Sequence, residues 1–136
     1  MTIMEKIENL TLNIPEDINK VNNLCEEISI NNNSKILLED LFKILERNPH
    51  FNFGMPGNLI RLIEKHYKEP DYKNYVFRSI ERNPTEYNLW ILQRLMNSFE
   101  KDEEREEGIN IYKKILQETT DDGIKEMLED FMTDYE

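Results

Sequence analysis

Two copies of one short segment constrain this chain more than anything else in it: Ile44-Leu45-Glu46-Arg47-Asn48-Pro49 returns as Ser79-Ile80-Glu81-Arg82-Asn83-Pro84. A proline lacks the N–H that a helix interior needs and pushes its predecessor out of the helical region, so each copy ends one helix and precedes another. Arg61-Leu62-Ile63 returns in the same way as Arg94-Leu95-Met96. The interval is that of a helical-hairpin repeat, about 34 to 47 residues. Two related units, about residues 35–65 and 71–99, are therefore expected side by side. The plainer reading is one favourable helix junction used twice.

At the second junction Asn83 is expected to cap and Pro84 to open the next helix, where its fixed φ is already suitable. That helix carries Leu89, Trp90, Ile91, Leu92, Leu95 and Met96 and is apolar around much of its circumference. It must be covered on more than one side, which makes it the expected central helix, with Trp90, Leu92, Leu95, Phe42 and Leu45 in the core.

The rest of the chain reads as helices too. Ile3, Ile7 and Leu10 suggest a short one, and Pro15 opens a longer one through Ile18, Val21, Leu24 and Ile28. Leu38, Leu41, Phe42 and Leu45 line the next, with Ile36, Leu37 and Ile44 widening its buried face. Leu59, Ile60, Leu62, Ile63 and Tyr67, and then Tyr72, Tyr75, Val76, Ser79 and Ile80, continue the same spacing. Towards the end, Ile109, Tyr112, Ile115 and Leu116 are followed by a helix capped by Thr120 or Asp121, with Ile124, Met127, Leu128 and Phe131 inward. No stretch alternates with period two. The expected fold is all-α: six or seven helices in antiparallel hairpins, a HEAT-like, α-solenoid-like single domain over residues 1–136.

One loop interrupts the pattern. Asn48 to Gly57 is dense in turn formers yet holds His50, Phe51, Phe53 and Met55, large side chains with no helical register to bury them. Such a loop is either tucked under the repeat or offered to a partner.

A chain of 136 residues can bury about two thirds of its unfolded surface in one domain. The start lacks the basic and long apolar stretches of a signal peptide, and no run approaches a membrane span, so a cytoplasmic protein is expected. Cys25 is alone, with Val21, Leu24 and Ile28 at helical spacing, and reads as a buried inert thiol.

The net charge of −11 is unevenly spread. Residues 100–136 hold 14 acids and 5 bases, a net of −9, against 14 acids and 12 bases, a net of −2, in the other 99 residues. An end this acidic repels nucleic acid and anionic membranes and attracts basic partners.

Catalytic patterns are not apparent. His50 and His66 lie outside metal-ligand spacings, Asp121-Asp122-Gly123 lacks the rest of a calcium loop, and there is no phosphate-binding glycine loop or nucleophile motif. An enzyme is the less expected class, and no metal or cofactor is implied.

Met55-Pro56-Gly57-Asn58-Leu59-Ile60, the helix from Tyr72 to Ile80, Arg82-Asn83-Pro84-Thr85 and the run from Trp90 to Asn97 together resemble small helical immunity proteins of bacterial polymorphic-toxin and contact-dependent growth inhibition systems. The likeness covers roughly residues 35–99. It implies a cytosolic protein that binds one toxin domain, often a nuclease, and blocks its active site or substrate path. The acidic end lies outside the matching stretch, but its charge agrees, since a nuclease presents a basic cleft to its polyanionic substrate. The alternative is a helical-repeat scaffold with other protein clients.

The partner-binding residues expected on these grounds are Asp102, Glu103, Glu104, Glu106 and Glu107, then Asp121 and Asp122, and Glu126, Glu129 and Asp130 on the outer face of the last helix, with Phe51 and Phe53 as aromatic anchors. Arg82 and Arg94 are expected to tie helices together rather than to meet the partner.

Overall fold

The computed structural model describes residues Met1–Tyr135. Among them are eight α-helices: α1 (Ile3–Glu8), α2 (Ile18–Ile30), α3 (Leu38–Arg47), α4 (Asn58–Glu64), α5 (Tyr72–Arg82), α6 (Glu86–Asn97), α7 (Asp102–Glu118) and α8 (Asp122–Thr133). A 3₁₀ turn at Pro15–Asp17 leads into α2, and no strand is present among the described residues. The protein is all-α. The count exceeds the expected six or seven, and it includes the short N-terminal helix that Ile3 and Ile7 suggested, fixed by a capping box between Thr2 and Glu5.

Helix α6 is central, in contact with α3, α5, α7 and α8. Its Leu89, Ile91, Leu92 and Met96 have no exposed surface. They join one apolar cluster that runs from Ile7 and Ile28 through Leu41, Phe42 and Leu45 to Tyr112 and Leu128. Trp90 is not at its centre: it packs against the cluster only partly buried, with the Arg94 guanidinium 4.7 Å from its ring centre. Consecutive apolar residues point around the helix, and the neighbours cover the faces of Leu89, Ile91 and Leu92 more fully than that of Trp90.

The second Asn-Pro junction departs from expectation. Asn83 and Pro84 both precede the helix, and Thr85 is the cap, its hydroxyl accepting from Asn88 N–H while the Asn88 side chain accepts from Thr85 N–H. Asn83 instead donates its side-chain N–H to the carbonyl of Glu46 at 2.7 Å, closing the end of α3. The Glu46 carboxylate, 7% exposed, accepts from Ser79 Oγ at 2.8 Å and from Arg82 Nε and Nη2 at 2.7 and 2.8 Å. Asn88 completes the network by donating to Ser79 Oγ and to the Asn83 carbonyl. One buried carboxylate thus braces α3 against α5 and the start of α6. Arg82 also reaches Glu39, and Arg94 meets Glu64 at 2.8 Å, so both arginines tie helices together as expected.

Two apolar residues lie elsewhere than their spacing suggests. Helix α3 begins only at Leu38, which leaves Ile36 in the preceding turn and 82% exposed. Tyr67 lies past the end of α4 and is 52% exposed. Cys25 is buried, and burial pushes its thiol up to about 11, well away from a reactive thiolate.

Candidate partner-binding surface

The aromatic loop is tucked in, not offered. Phe53 is 2% exposed, which corrects its assignment as a partner anchor. The Tyr87 hydroxyl on α6 donates to the Phe51 carbonyl and accepts from Phe53 N–H, so the loop's backbone is satisfied from inside. The rings of Phe51, Phe53 and Tyr87 stack edge-on in series, with centroids 5.0 and 5.2 Å apart. Phe51 is itself partly buried by this packing. Gly57 permits the return of the chain, because a Cβ there would lie 1.7 Å from the Phe53 carbonyl oxygen. What the loop leaves outside is His50, Asn52, Met55 and Pro56.

The acidic residues sit where α7 and α8 put them. Both helices dock on α6. Gly108 makes the α7 contact close: a Cβ on it would lie 2.1 Å from Met96 Sδ. Tyr112 packs against Phe131 and donates to Gln93, and Arg105 donates to the Phe99 carbonyl at the end of α6. These anchors turn the charged faces outward. Asp102, Glu103, Glu106 and Glu107 are exposed around the first turns of α7, with Glu104 half-buried. Asp122, Glu126, Glu129 and Asp130 are all exposed and recur at helical spacing, a single stripe along α8. Asp121 is half-buried because it caps α8, accepting from Ile124 N–H at 3.1 Å.

These positions do not form one continuous patch. The first turn of α7 and the α7–α8 turn lie at opposite ends of α7, about 24 Å apart at 1.5 Å per residue. The exposed Lys113 and Lys114 fall between them.

At the turn end, the structure adds residues that sequence spacing did not connect. A groove of about 430 Å³ runs between the two Asn-Pro junctions and the start of α8. Its carboxylates are Glu86, Glu118 and Asp121, and Ile115, Ile124 and Pro84 supply apolar wall. Glu86 Oε1 lies within 2.8 Å of where a Gly123 Cβ would sit, at the positive end of the α8 dipole. Glu86 and Glu118 escape a reading by charge runs because they come from different helices and meet only through packing. Among the described residues, no three His, Cys, Asp or Glu side chains converge in a way that could hold a metal ion.

His66 also acquires a partner unseen in the sequence. Its Nε2 lies 2.8 Å from Ser34 Oγ, both side chains buried, and burial holds its pKa below the ordinary value. The pair pins the turn before α3 to the end of α4.

No family model matches this chain, and no match emerges among curated proteins or solved structures. No helix among the described residues is long and apolar enough to cross a membrane.

Proposed function

We propose that this chain is an immunity protein that binds and neutralises a cognate bacterial toxin domain, a nuclease, by covering its basic active-site or substrate cleft from the cytoplasm. One observation carries the reading. Glu103, Glu106, Asp122, Glu126, Glu129 and Asp130 are exposed and, among the described residues, join no ion pair. In residues 1–99, by contrast, six of the 14 acids, Asp17, Glu27, Glu39, Glu46, Glu64 and Asp71, are each tied to a lysine or arginine of the same chain. Carboxylates left unpaired on one hairpin imitate the phosphates that a nuclease displaces, and they accelerate encounter with its basic cleft.

The groove takes over the anchoring role assigned to Phe51 and Phe53. A lysine or arginine of the toxin lays its stem on Ile115 and Ile124 and brings its charge to Glu86, Glu118 and Asp121. The finer architecture belongs to the same proposal: α3–α4 and α5–α6 act as two HEAT-like units, with α7–α8 as the acidic hairpin that completes the stack.

The test is association with the toxin domain encoded beside this protein. Reversing Glu103, Glu104, Glu106 and Glu107 to Lys slows association at least about tenfold in low salt, an effect that shrinks as salt screens it. Glu118→Gln hastens dissociation instead. Unchanged association of the quadruple variant in low salt would make the acidic end a solubility feature. The bracing of α3 by α5 favours one second reading, a helical-repeat scaffold, and binding of several unrelated clients with no neutralisation of that toxin would select it.

A further inference from the structure

Exposed charge without a partner, the property that sets the acidic hairpin apart, recurs with opposite sign on another face. Arg61, Lys65 and Lys68 are exposed and, among the described residues, join no ion pair. Arg61 and Lys65 line a groove of about 550 Å³ between α2 and α4, which pack against each other, whereas α7 and α8 pack on α6. Its other polar walls are the neutral Asn22, Asn23, Asn58 and Ser29, and Glu26 is its one acid.

The groove has a direction. The Ser34–His66 bond joins the turn that follows α2 to the end of α4, so the two helices run side by side the same way. Lys35 and Asp71 tie the same two turns together at 2.6 Å. At this end Ile30, Ile36 and Tyr67 are 74%, 82% and 52% exposed, half of the six large apolar side chains that the described residues leave in solvent. Apolar residues exposed singly are ordinary, but three on two joined turns, with Lys65 and Lys68 beside Tyr67 in the chain, mark a surface of contact.

Its occupant must bring negative charge for Arg61, Lys65 and Lys68 and apolar surface for the end of the groove. A single-stranded nucleic acid needs rings on which to stack, and the groove walls hold none. A lipid surface is flat and does not enter a furrow between two helices. An extended polypeptide does enter one, and its N–H and C=O groups match the asparagine amides, each of which is donor and acceptor at once. From Asn58 to Lys65 the groove is about 10 Å long at 1.5 Å per residue, room for about three extended residues.

We propose that the α2–α4 groove docks an extended acidic segment of a partner protein, about three residues whose carboxylates meet Arg61 and Lys65, continued by bulky apolar side chains that cover Ile36 and Tyr67. This site does not rest on the toxin reading.

A fluorescein-labelled synthetic peptide of three glutamates followed by two leucines tests the proposal on the full chain. By anisotropy it binds with a Kd below about 1 mM in low salt, more weakly as salt rises, and the amide shifts it causes fall in α2, α4 and the two turns. Glutamines in place of the glutamates, or serines in place of the leucines, weaken binding at least fivefold. So do the double variant Arg61→Glu with Lys65→Glu and the single variant Ile36→Ser; all three side chains are exposed, so melting temperatures stay within a few degrees of wild type. Glu118→Gln, which hastens toxin dissociation, leaves peptide binding unchanged, so the two readings fail separately. The proposal is overturned by absence of binding at about 1 mM, by equal binding of the glutamine peptide, or by undiminished binding to the charge-reversed variant. Sedimentation of the chain with phosphatidylglycerol vesicles, or self-association that Ile36→Ser abolishes, would overturn it too, by giving the surface to a membrane or to a second copy.

Discussion

The two parts of this chain carry equal numbers of acids, 14 in residues 1–99 and 14 in residues 100–136, yet pair them to different extents. In the first part six of the 14 acids pair with a base of the same chain: Glu46 and Asp17 are buried with their bonds filled, Glu64 and Glu39 hold arginines from other helices, and Glu27 and Asp71 meet lysines. In the α7–α8 hairpin the apolar anchors and Arg105 do the docking, and among the described carboxylates only Asp102 and Glu107 join an ion pair. Charge count is therefore a poor guide to charge function. The useful distinction is whether a carboxylate has a partner, which only packing reveals.

The sharpest way to break this contrast is to truncate one acid in each part. Glu46→Ala strands the Arg82 guanidinium, the Ser79 hydroxyl and the bonds they share, and should cost about 3 to 5 kcal/mol in urea unfolding, as removal of one partner from a buried ion pair does. A cost below about 1 kcal/mol would mean that the network is ornamental, and a double-mutant cycle with Arg82→Ala should show strong coupling.

Trp90→Ala comes next. A wholly buried tryptophan would cost about 3 to 5 kcal/mol, but this one is half-buried and stacked on an arginine, so about 1 to 2 kcal/mol is expected. Complete unfolding of that variant would restore Trp90 to the centre of the core.

Acidification separates the parts in another way. Because His66 is buried beside Ser34, its folded pKa lies below the 6.5 of an exposed imidazole. The unfolded chain thus takes up a proton that the folded chain refuses, and this contribution is full above about pH 6.5 and shrinks as pH falls. Wild type should lose melting temperature between pH 7.5 and 5.5 faster than His66→Gln. Parallel curves would remove His66 from the account. The smallest effect belongs to the hairpin: reversing Glu103, Glu104, Glu106 and Glu107 loses the exposed Lys73–Glu107 pair and sets cations at the positive end of the α7 dipole, against relief of like-charge repulsion, and should cost no more than about 1 kcal/mol of unfolding free energy, whatever it does to toxin association.

Much of the fold was legible in the sequence because period-3.6 apolar spacing is a local signal. It located α2, α3, α5, α7 and α8 and narrowed the cap of α8 to Thr120 or Asp121, of which the structure uses Asp121. What was not legible was set by partners far along the chain. Asn83 would be a fair cap for α6 on local grounds, but the carbonyl of Glu46, 37 residues away, claims its side chain and passes the cap to Thr85. Phe53 lacked a helical register, which says nothing about burial once Tyr87, 34 residues on, closes the loop. The same holds for the candidate site: the acidic stripe of α8 could be drawn from spacing, whereas Glu86 beside Asp121 could not.

The Glu46 network also bears on how freely the two Arg-Asn-Pro segments could be exchanged. In the first, Arg47 donates to the Ile7 carbonyl and Asn48 turns back to Ile44 in its own helix. In the second, Arg82 and Asn83 both answer to Glu46. The two segments hold complementary places: the first supplies the carboxylate, the second the cation and the amide that meet that helix end. Swapping them would separate Arg82 from the carboxylate it meets, so the two segments are not interchangeable as the units of an open-ended array are.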